Sequence, residues 1–210
     1  MSLNDYQQSV FKSRAIPYKA TQAIQDRQMM ALKMATAQLT DLIQGIADKG
    51  EGGQVNRGLF LAKKQAIQNL MVQLAQGMGQ DISESVSAVT EETAALMQEI
   101  TDKLATDQDQ EVDLSNLATV PETVLQNYAH RADSEGLKIS PDIWAGNQTA
   151  LIENQVLSAI SRGQSAKSLA QDLEQFINGG SVGMGHSIAY KTMRLARTEI
   201  NTAYHETRRL

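Results

Sequence analysis

The residues that most resemble catalytic or metal-binding motifs lie in the last fifth of the chain. His205 and Glu206 have the order that begins an HExxH zinc motif, but Arg209 occupies the position of the second histidine. Glu199 and His205 are separated by about 240° around a helix, so they cannot act together on one face. The glycines of NGGSVGMG follow no apolar strand and precede no Lys-Ser or Lys-Thr pair, which argues against a phosphate loop. We therefore predict no enzymatic activity, no cofactor and no metal site.

The composition excludes further classes of chemistry. The 210 residues include no cysteine and three histidines. Disulfide frameworks, cysteine zinc sites, iron–sulfur clusters and thiol nucleophiles are therefore ruled out. No apolar stretch approaches the roughly 20 residues that span a bilayer, and the N-terminus lacks the apolar run of a signal peptide. We expect no membrane partner, and a protein that is made and kept in a cytosol.

Three apolar stripes with steps of mostly three and four residues predict long helices in the first half of the chain. The stripes consist of Leu32, Ala35, Leu39, Leu42 and Ile46; of Phe60, Ile67, Met71, Leu74 and Met78; and of Ile82, Val86, Val89, Thr93, Leu96, Ile100 and Leu104. Gly77 and Gly79 are expected to separate the second helix from a third that begins at Asp81. Aromatic residues make up only 4% of the chain, which also favours helices over sheets. Residues 1–105 are therefore interpreted as a bundle, hairpin or coiled-coil-like region of long helices.

Residues 106–120 lose the helical period and carry several acidic side chains, which indicates a linker. The surrounding charge is uneven, because residues 81–113 contain one basic and ten acidic residues. Residues 121–210 follow as a second, compact helical domain. The sequence thus predicts an all-α protein with long helices first and shorter helices after the linker.

Capping residues mark the helices of the second domain. Pro121 suits the first turn of a helix, and Ser140 before Pro141 is typical of a helix start. Gly163 is expected to end that helix, and Ser165 is expected to cap the next one. The last helix is predicted over residues 186–208.

The predicted last helix has three faces of different chemistry. Its apolar face consists of Ala189, Met193, Ala196, Ile200 and Ala203. Its basic face consists of Arg194, Arg197, Asn201, His205 and Arg208. At about 100° per residue, Glu199 and Glu206 lie together on the remaining flank. We expect the basic face to contact carboxylates, either of a partner or within this chain, or else the phosphates of a nucleic acid.

Two segments resemble a known family of phage proteins. The string RLARTEINTAYHETR at residues 194–208 resembles the Arg-Thr-Glu helix of the minor head proteins of tailed phages, the Mu F-like head-morphogenesis family. Residues 140–177 are similar to the preceding region of that family, where a helix with a Ser-Pro start and a tryptophan is followed by a Gly-x-Ser turn and a short helix. The residues that carry the motif are Trp144, Gly163, Ser165, Arg197, Thr198 and Glu199.

The resemblance implies a structural virion protein associated with the portal vertex or the head interior, acting in head assembly or genome delivery. Its implied partners are the portal protein, other capsid proteins and packaged double-stranded DNA. The implied location is the virion, and the host cytoplasm during assembly. The long helices add the expectation of a homo-oligomer, because seams of this spacing favour helix–helix interfaces.

Two other functions stay open at this point. A nucleic-acid-binding module would use the basic face, although a pI near 5.2 and the lack of a known binding motif weigh against it. An enzyme is the other alternative, because some relatives of this domain are fused to toxin or transferase domains. Family members also continue past this helix into a small, partly β region, so the sequence is either a short variant or part of a longer chain.

Overall fold

A computed structural model describes residues 3–47, 53–108, 119–131, 137–138, 140–179 and 187–209. Six helices and no β-strand are present in these ranges. The helices are α1 (Leu3–Gln44), α2 (Arg57–Gln108), α3 (Val120–His130), α4 (Pro141–Ser161), α5 (Ala166–Asn178) and α6 (Ile188–Thr207). The predicted all-α fold, with long helices first and shorter helices after them, is therefore confirmed.

Helix α1 begins much earlier than the stripe from Leu32 indicates, and it continues through Pro17. A proline inside a helix removes one backbone hydrogen bond and generally costs about 3 kcal/mol. Burial continues on both sides of it, with Ser13 and Ile16 before it and Ile24 after it. Packing of this face therefore outweighs the local penalty.

Helix α2 is one continuous element, so the predicted break between the second and third helices is wrong. The two apolar stripes join in phase, because Ile82 follows Met78 by one helical turn and both are fully buried. Neither Gly77 nor Gly79 has a positive φ, and a glycine inside a helix costs only about 1 kcal/mol. The far end of the third stripe is more open than expected, since Leu104 is exposed.

The predicted helix starts after the linker are confirmed, although not every cap is formed by a side chain. Pro121 lies in the first turn of α3, and Pro141 begins α4 behind Ser140, whose side chain makes no capping hydrogen bond. Gly163 follows the end of α4 with φ 62°, a conformation that only glycine adopts without strain. Ser165 caps α5, since its Oγ accepts a hydrogen bond from the Ser168 amide at 3.2 Å.

The chain forms two compact units. The first comprises residues 1–26, 81–131 and 195–210, and the second comprises residues 27–80 and 132–194. Each unit takes segments from both sides of the predicted linker, so the units differ from the domains inferred from the sequence. The separate folding of those domains stays a prediction.

Backbone hydrogen bonds hold the second unit together near the α4–α5 turn. Val55 donates its amide to the Gln164 carbonyl at 3.3 Å, and Ala166 donates to the Gly53 carbonyl at 2.9 Å. Asn56 directly precedes α2, and its side-chain oxygen accepts a hydrogen bond from the Leu59 amide at 3.1 Å. The turn that carries Gly163 and Ser165 is thus fixed against the start of α2.

Two sequence predictions fall partly or wholly outside the described residues. Most of the predicted linker, residues 109–118, is in this group, and so are residues 180–185 of the glycine-rich stretch. For the described helices a separate finding holds: none is long and apolar enough to cross a membrane.

Candidate partner-binding surface

Helix α6 positions the residues that the sequence singles out as a basic face. Four residues of the predicted apolar face, Ala189, Ala196, Ile200 and Ala203, are buried, and Met193 is half-buried. The helix also buries Ile188, Thr192, Glu199, Tyr204 and Thr207. A helix anchored along this stripe holds the basic face, which is about a third of a turn away, at a defined angle.

All five residues of the predicted basic face are exposed. They are Arg194, Arg197, Asn201, His205 and Arg208, and they fall within about 80° of one another around α6. Arg194 belongs to the second compact unit, whereas the other four belong to the first. Within the first unit, Arg197 and Arg208 are on one exposed helix face, and each can bind a carboxylate or phosphate through paired N–H groups.

Tyr204 orients the C-terminal end of this face in the first unit. The Arg208 guanidinium lies 5.4 Å from the centre of the Tyr204 ring and donates a hydrogen bond to its hydroxyl at 3.1 Å. That hydroxyl is also 2.7 Å from the Ser13 Oγ of α1, in a buried hydrogen bond. His205 packs edge-on against the same ring, with the ring centres 5.2 Å apart. Arg208 is therefore held on α6 rather than free to move over the surface.

A groove of about 420 Å³ lies between α1 and α6 within the first unit. The lining residues are Arg14, Pro17, Tyr18, Thr21, Gln22 and Gln25 of α1 and Arg197 and Asn201 of α6. None of these lining residues is acidic, and the Tyr18 side chain is 73% exposed. We call this set the basic groove. Two arginines surrounded by amide and hydroxyl groups can hold a carboxylate or phosphate and supply further hydrogen bonds to it.

The acidic flank of α6, Glu199 and Glu206, contacts Arg131. The side chain of Glu199 is only 8% exposed, and its Oε2 lies 3.2 Å from Nη2 of Arg131, the residue that caps the end of α3. The Nη2 contact lacks the alignment of a hydrogen bond, whereas Arg131 Nε donates one to the same oxygen at 3.3 Å. Arg131 Nη1 also donates to Glu206. The two glutamates thus share one arginine, which offsets part of their charge beside the basic face.

The residues of the family motif fall into two groups. Trp144 is buried in α4, Gly163 forms the turn after α4, and Ser165 caps α5, so these three support the second unit. Arg197, Thr198 and Glu199 follow one another on α6: the first two are exposed, and the third is the buried partner of Arg131. The motif therefore contributes one residue, Arg197, to the basic groove.

Sequence reasoning missed the α1 side of the groove and also Arg131. Arg14 and Tyr18 lie before the first apolar stripe, in a segment for which no helix was predicted. Arg131 is 68 residues from Glu199 and 75 residues from Glu206. No short-range pattern reports contacts at that separation, although a helix through Pro17 could have been inferred from the spacing of Ser13, Ile16 and Ile24.

Comparison with known proteins adds no relative. No family model matches this chain, and no curated protein or solved structure matches it. In the described part of the chain, no three histidine, aspartate or glutamate residues are close enough to hold a metal ion. Beyond the sequence resemblance, a function for this chain is therefore inferred from the geometry of the basic groove and its surroundings.

Proposed function

We propose that this chain is a structural component of a tailed-phage head: a minor head protein that acts at the portal vertex or head interior in assembly or genome delivery and catalyses no reaction. The observation that carries the proposal is the basic groove, where Arg197 of the motif helix and Arg14 of α1 line one cavity. The resemblance of residues 140–208 to minor head proteins indicates the class of assembly in which such a groove would serve.

Charge complementarity supports an acidic protein surface as the ligand of this groove. Arg14 and Arg197 provide two cationic forks, and the glutamates of α6 are turned toward Arg131 instead of the solvent. A carboxylate docking there meets donors and no acidic lining residue. Each charge-assisted hydrogen bond of this kind contributes about 1.5–3 kcal/mol when it excludes water.

Packaged DNA is the second candidate ligand, and one observation favours it. Tyr18 is largely exposed in the same groove as the two arginines, an arrangement that can stack on a base or lie along a sugar–phosphate backbone. The whole chain carries a formal net charge of −5, however, which repels a polyanion at long range. We therefore place the portal or another capsid protein first and DNA second.

Reversal of the two groove arginines tests this proposal. We would prepare Arg14→Glu/Arg197→Glu and the control Lys33→Glu/Lys167→Glu, which changes the net charge equally at two exposed lysines outside the groove. Binding to the portal protein of the same phage and incorporation into particles would be measured, with circular dichroism as a check on folding. Loss of two charge-assisted contacts should weaken binding by at least about tenfold, while the control variant binds normally.

The other outcomes separate the candidates. If incorporation survives and salt-sensitive retention on double-stranded DNA falls in the groove variant alone, the ligand is DNA. If both properties match those of the unmodified chain, the groove is ordinary solvated surface and the proposal is wrong.

A further inference from the structure

A second groove, of about 630 Å³, lies between α1 and α2 within the first unit. Its floor includes the buried side chains of Ile16 and Leu96. Its α1 wall carries two lysines and its α2 wall carries two glutamates: Lys12, Lys19, Glu92 and Glu99. We call it the mixed-charge groove. None of its lining residues belongs to the basic groove, so an inference about it does not depend on the proposed function.

The charges of the mixed-charge groove form two rows of opposite sign. Lys12 and Lys19 are seven residues apart, and so are Glu92 and Glu99. Seven residues are about two helical turns, so each pair lies along one side of its helix. All four residues are exposed. A positive row and a negative row therefore face each other across the groove over two turns.

The two rows do not pair with each other inside the chain. Among the residues that the structure describes, no ion pair joins the two walls. Oε1 of Glu99 is 2.5 Å from Nζ of Lys103, which belongs to the same helix. An exposed pair of this kind is weak and can exchange for another contact. The charges of both walls are therefore accessible to oppositely charged groups of another molecule.

We propose that two copies of this chain dimerise through the mixed-charge groove, about a two-fold axis that runs along it. Rotation by 180° about this axis places the lysine row of each copy against the glutamate row of the other. A two-fold axis across the groove would place like charges together, so the charges select one arrangement. A second copy carries the complementary rows at the matching spacing, because they are the same rows. An unrelated partner would have to reproduce both signs and the seven-residue spacing.

Phe11 provides the apolar contact that such a dimer needs. Its side chain lines the groove from α1 and is 72% exposed. Aromatic side chains are enriched at the centres of protein interfaces. Because the rotation places α1 of one copy over α2 of the other, Phe11 of each copy would lie against the α2 wall of the other copy. Dimerisation therefore removes an exposed aromatic ring from water at the same place where it pairs the charges.

The small size of the rows sets the expected affinity. Each row extends about 10 Å along its helix. Such a contact is at the low end of protein interfaces, so we expect a dissociation constant of roughly 10–100 μM. Exposed charge pairs are screened by salt, so the dimer should weaken as the ionic strength rises.

Reversal of one row at a time tests the arrangement. Lys12→Glu/Lys19→Glu makes both walls acidic, and Glu92→Lys/Glu99→Lys makes both walls basic. In either variant, rows of like charge would meet across the two-fold axis. Each variant alone should therefore dimerise at least about tenfold more weakly than the unmodified full-length chain in sedimentation experiments. Circular dichroism would verify that both variants are folded.

An equimolar mixture of the two variants is the decisive measurement. The acidic walls of one variant meet the basic walls of the other, so the mixture should form a heterodimer at concentrations where each variant alone is monomeric. Lys33→Glu/Lys167→Glu is the matched control, since it changes the net charge as the first variant does at two exposed lysines outside the groove, and it should dimerise normally. An unmodified chain that stays monomeric well above the expected dissociation constant overturns the proposal. So does a mixture that stays monomeric, or a row-reversed variant that dimerises like the unmodified chain.

Discussion

Removal of the Arg131 guanidinium should destabilise the first unit far more than removal of an exposed arginine. Arg131 contacts both Glu199 and Glu206 on α6, and its side chain is 27% exposed. Arg131→Met retains an apolar stem but leaves the Glu199 carboxylate, 8% exposed, without its arginine. Loss of one member of a fully buried ion pair costs about 3–5 kcal/mol. The side chains of Arg131 and Glu206 are still about a quarter exposed, so solvent screens part of this interaction. We therefore expect the free energy of unfolding to fall by about 2–3 kcal/mol.

Thermal and urea unfolding followed by circular dichroism would measure this loss. At roughly 2–4 °C per kcal/mol for a chain of this size, the midpoint should fall by about 4–12 °C. A second substitution, Glu199→Gln, should restore about 1 kcal/mol or more in the Arg131→Met background, because it removes the charge of a buried carboxylate that no longer contacts an arginine at position 131. The same Glu199→Gln change in the unmodified chain should be destabilising.

Arg209→Met is the matched control, since Arg209 is exposed at the end of α6. Its effect should stay within about 0.5 kcal/mol. An equally small effect of Arg131→Met, or the absence of any rescue by Glu199→Gln, would refute the inference that the two glutamates of α6 depend on this arginine.

Three further predictions concern stability and ionisation. Gly77→Ala should stabilise α2 by about 0.5–1 kcal/mol, because an added Cβ meets no atom within 4 Å. Gly163→Ala should destabilise the chain by about 1 kcal/mol, because φ at this position is 62°. Urea unfolding of both variants checks that the two effects have opposite signs. Gln28→Met should raise the free energy of unfolding by about 1–3 kcal/mol, because Gln28 is fully buried and neither amide atom has a hydrogen-bond partner in the described part of the chain; a loss of stability in the same assay would contradict this. The hydrogen bond and charge of Lys103, with a smaller contribution from Lys12, lower the pKa of the Glu99 carboxyl, so Lys103→Ala should raise that pKa toward its ordinary value in an NMR titration. The stabilisation from this pair is present above the ordinary pKa of Glu99 and is lost as the pH falls through the lowered pKa.

The sequence predicts the helices after the linker well, because their ends depend on local chemistry. Pro141 begins α4, Gly163 ends it in a left-handed conformation, and Ser165 caps α5. Each signal acts over a few residues, so it can be read without knowledge of the tertiary structure. The faces of α6 are likewise predicted from phase alone, and Ile200 is buried while Arg197 is exposed.

Predictions that depend on packing are less accurate. Gly77 and Gly79 suggest a helix end, yet α2 continues because the buried stripe runs in phase across them. Pro17 suggests the same for α1, and there too the continuous buried face overrides the local signal. In both cases tertiary contacts contribute more than the local penalty of one glycine or proline.

Only the α6 side of the basic groove could be predicted from the sequence. Helical phase identifies Arg197 and Asn201, but the α1 residues that face them come from the opposite end of the chain, as the 191 residues between Ser13 and Tyr204 illustrate. The burial of Glu199 could not be predicted from helical phase for the same reason, because Arg131 lies at the end of another helix. Contacts of this range follow from the fold as a whole and leave no periodic signal in the sequence.

The location of this chain in assembled phage heads tests the proposed function most directly. Particles assembled with the unmodified chain would be cross-linked through lysine side chains and analysed by mass spectrometry, together with imaging of the portal vertex. We predict that the chain is present in the particle and that its first unit, which carries the basic groove, is cross-linked to the portal or an adjacent capsid protein. Absence of the chain from particles assembled in cells that produce it would contradict the account.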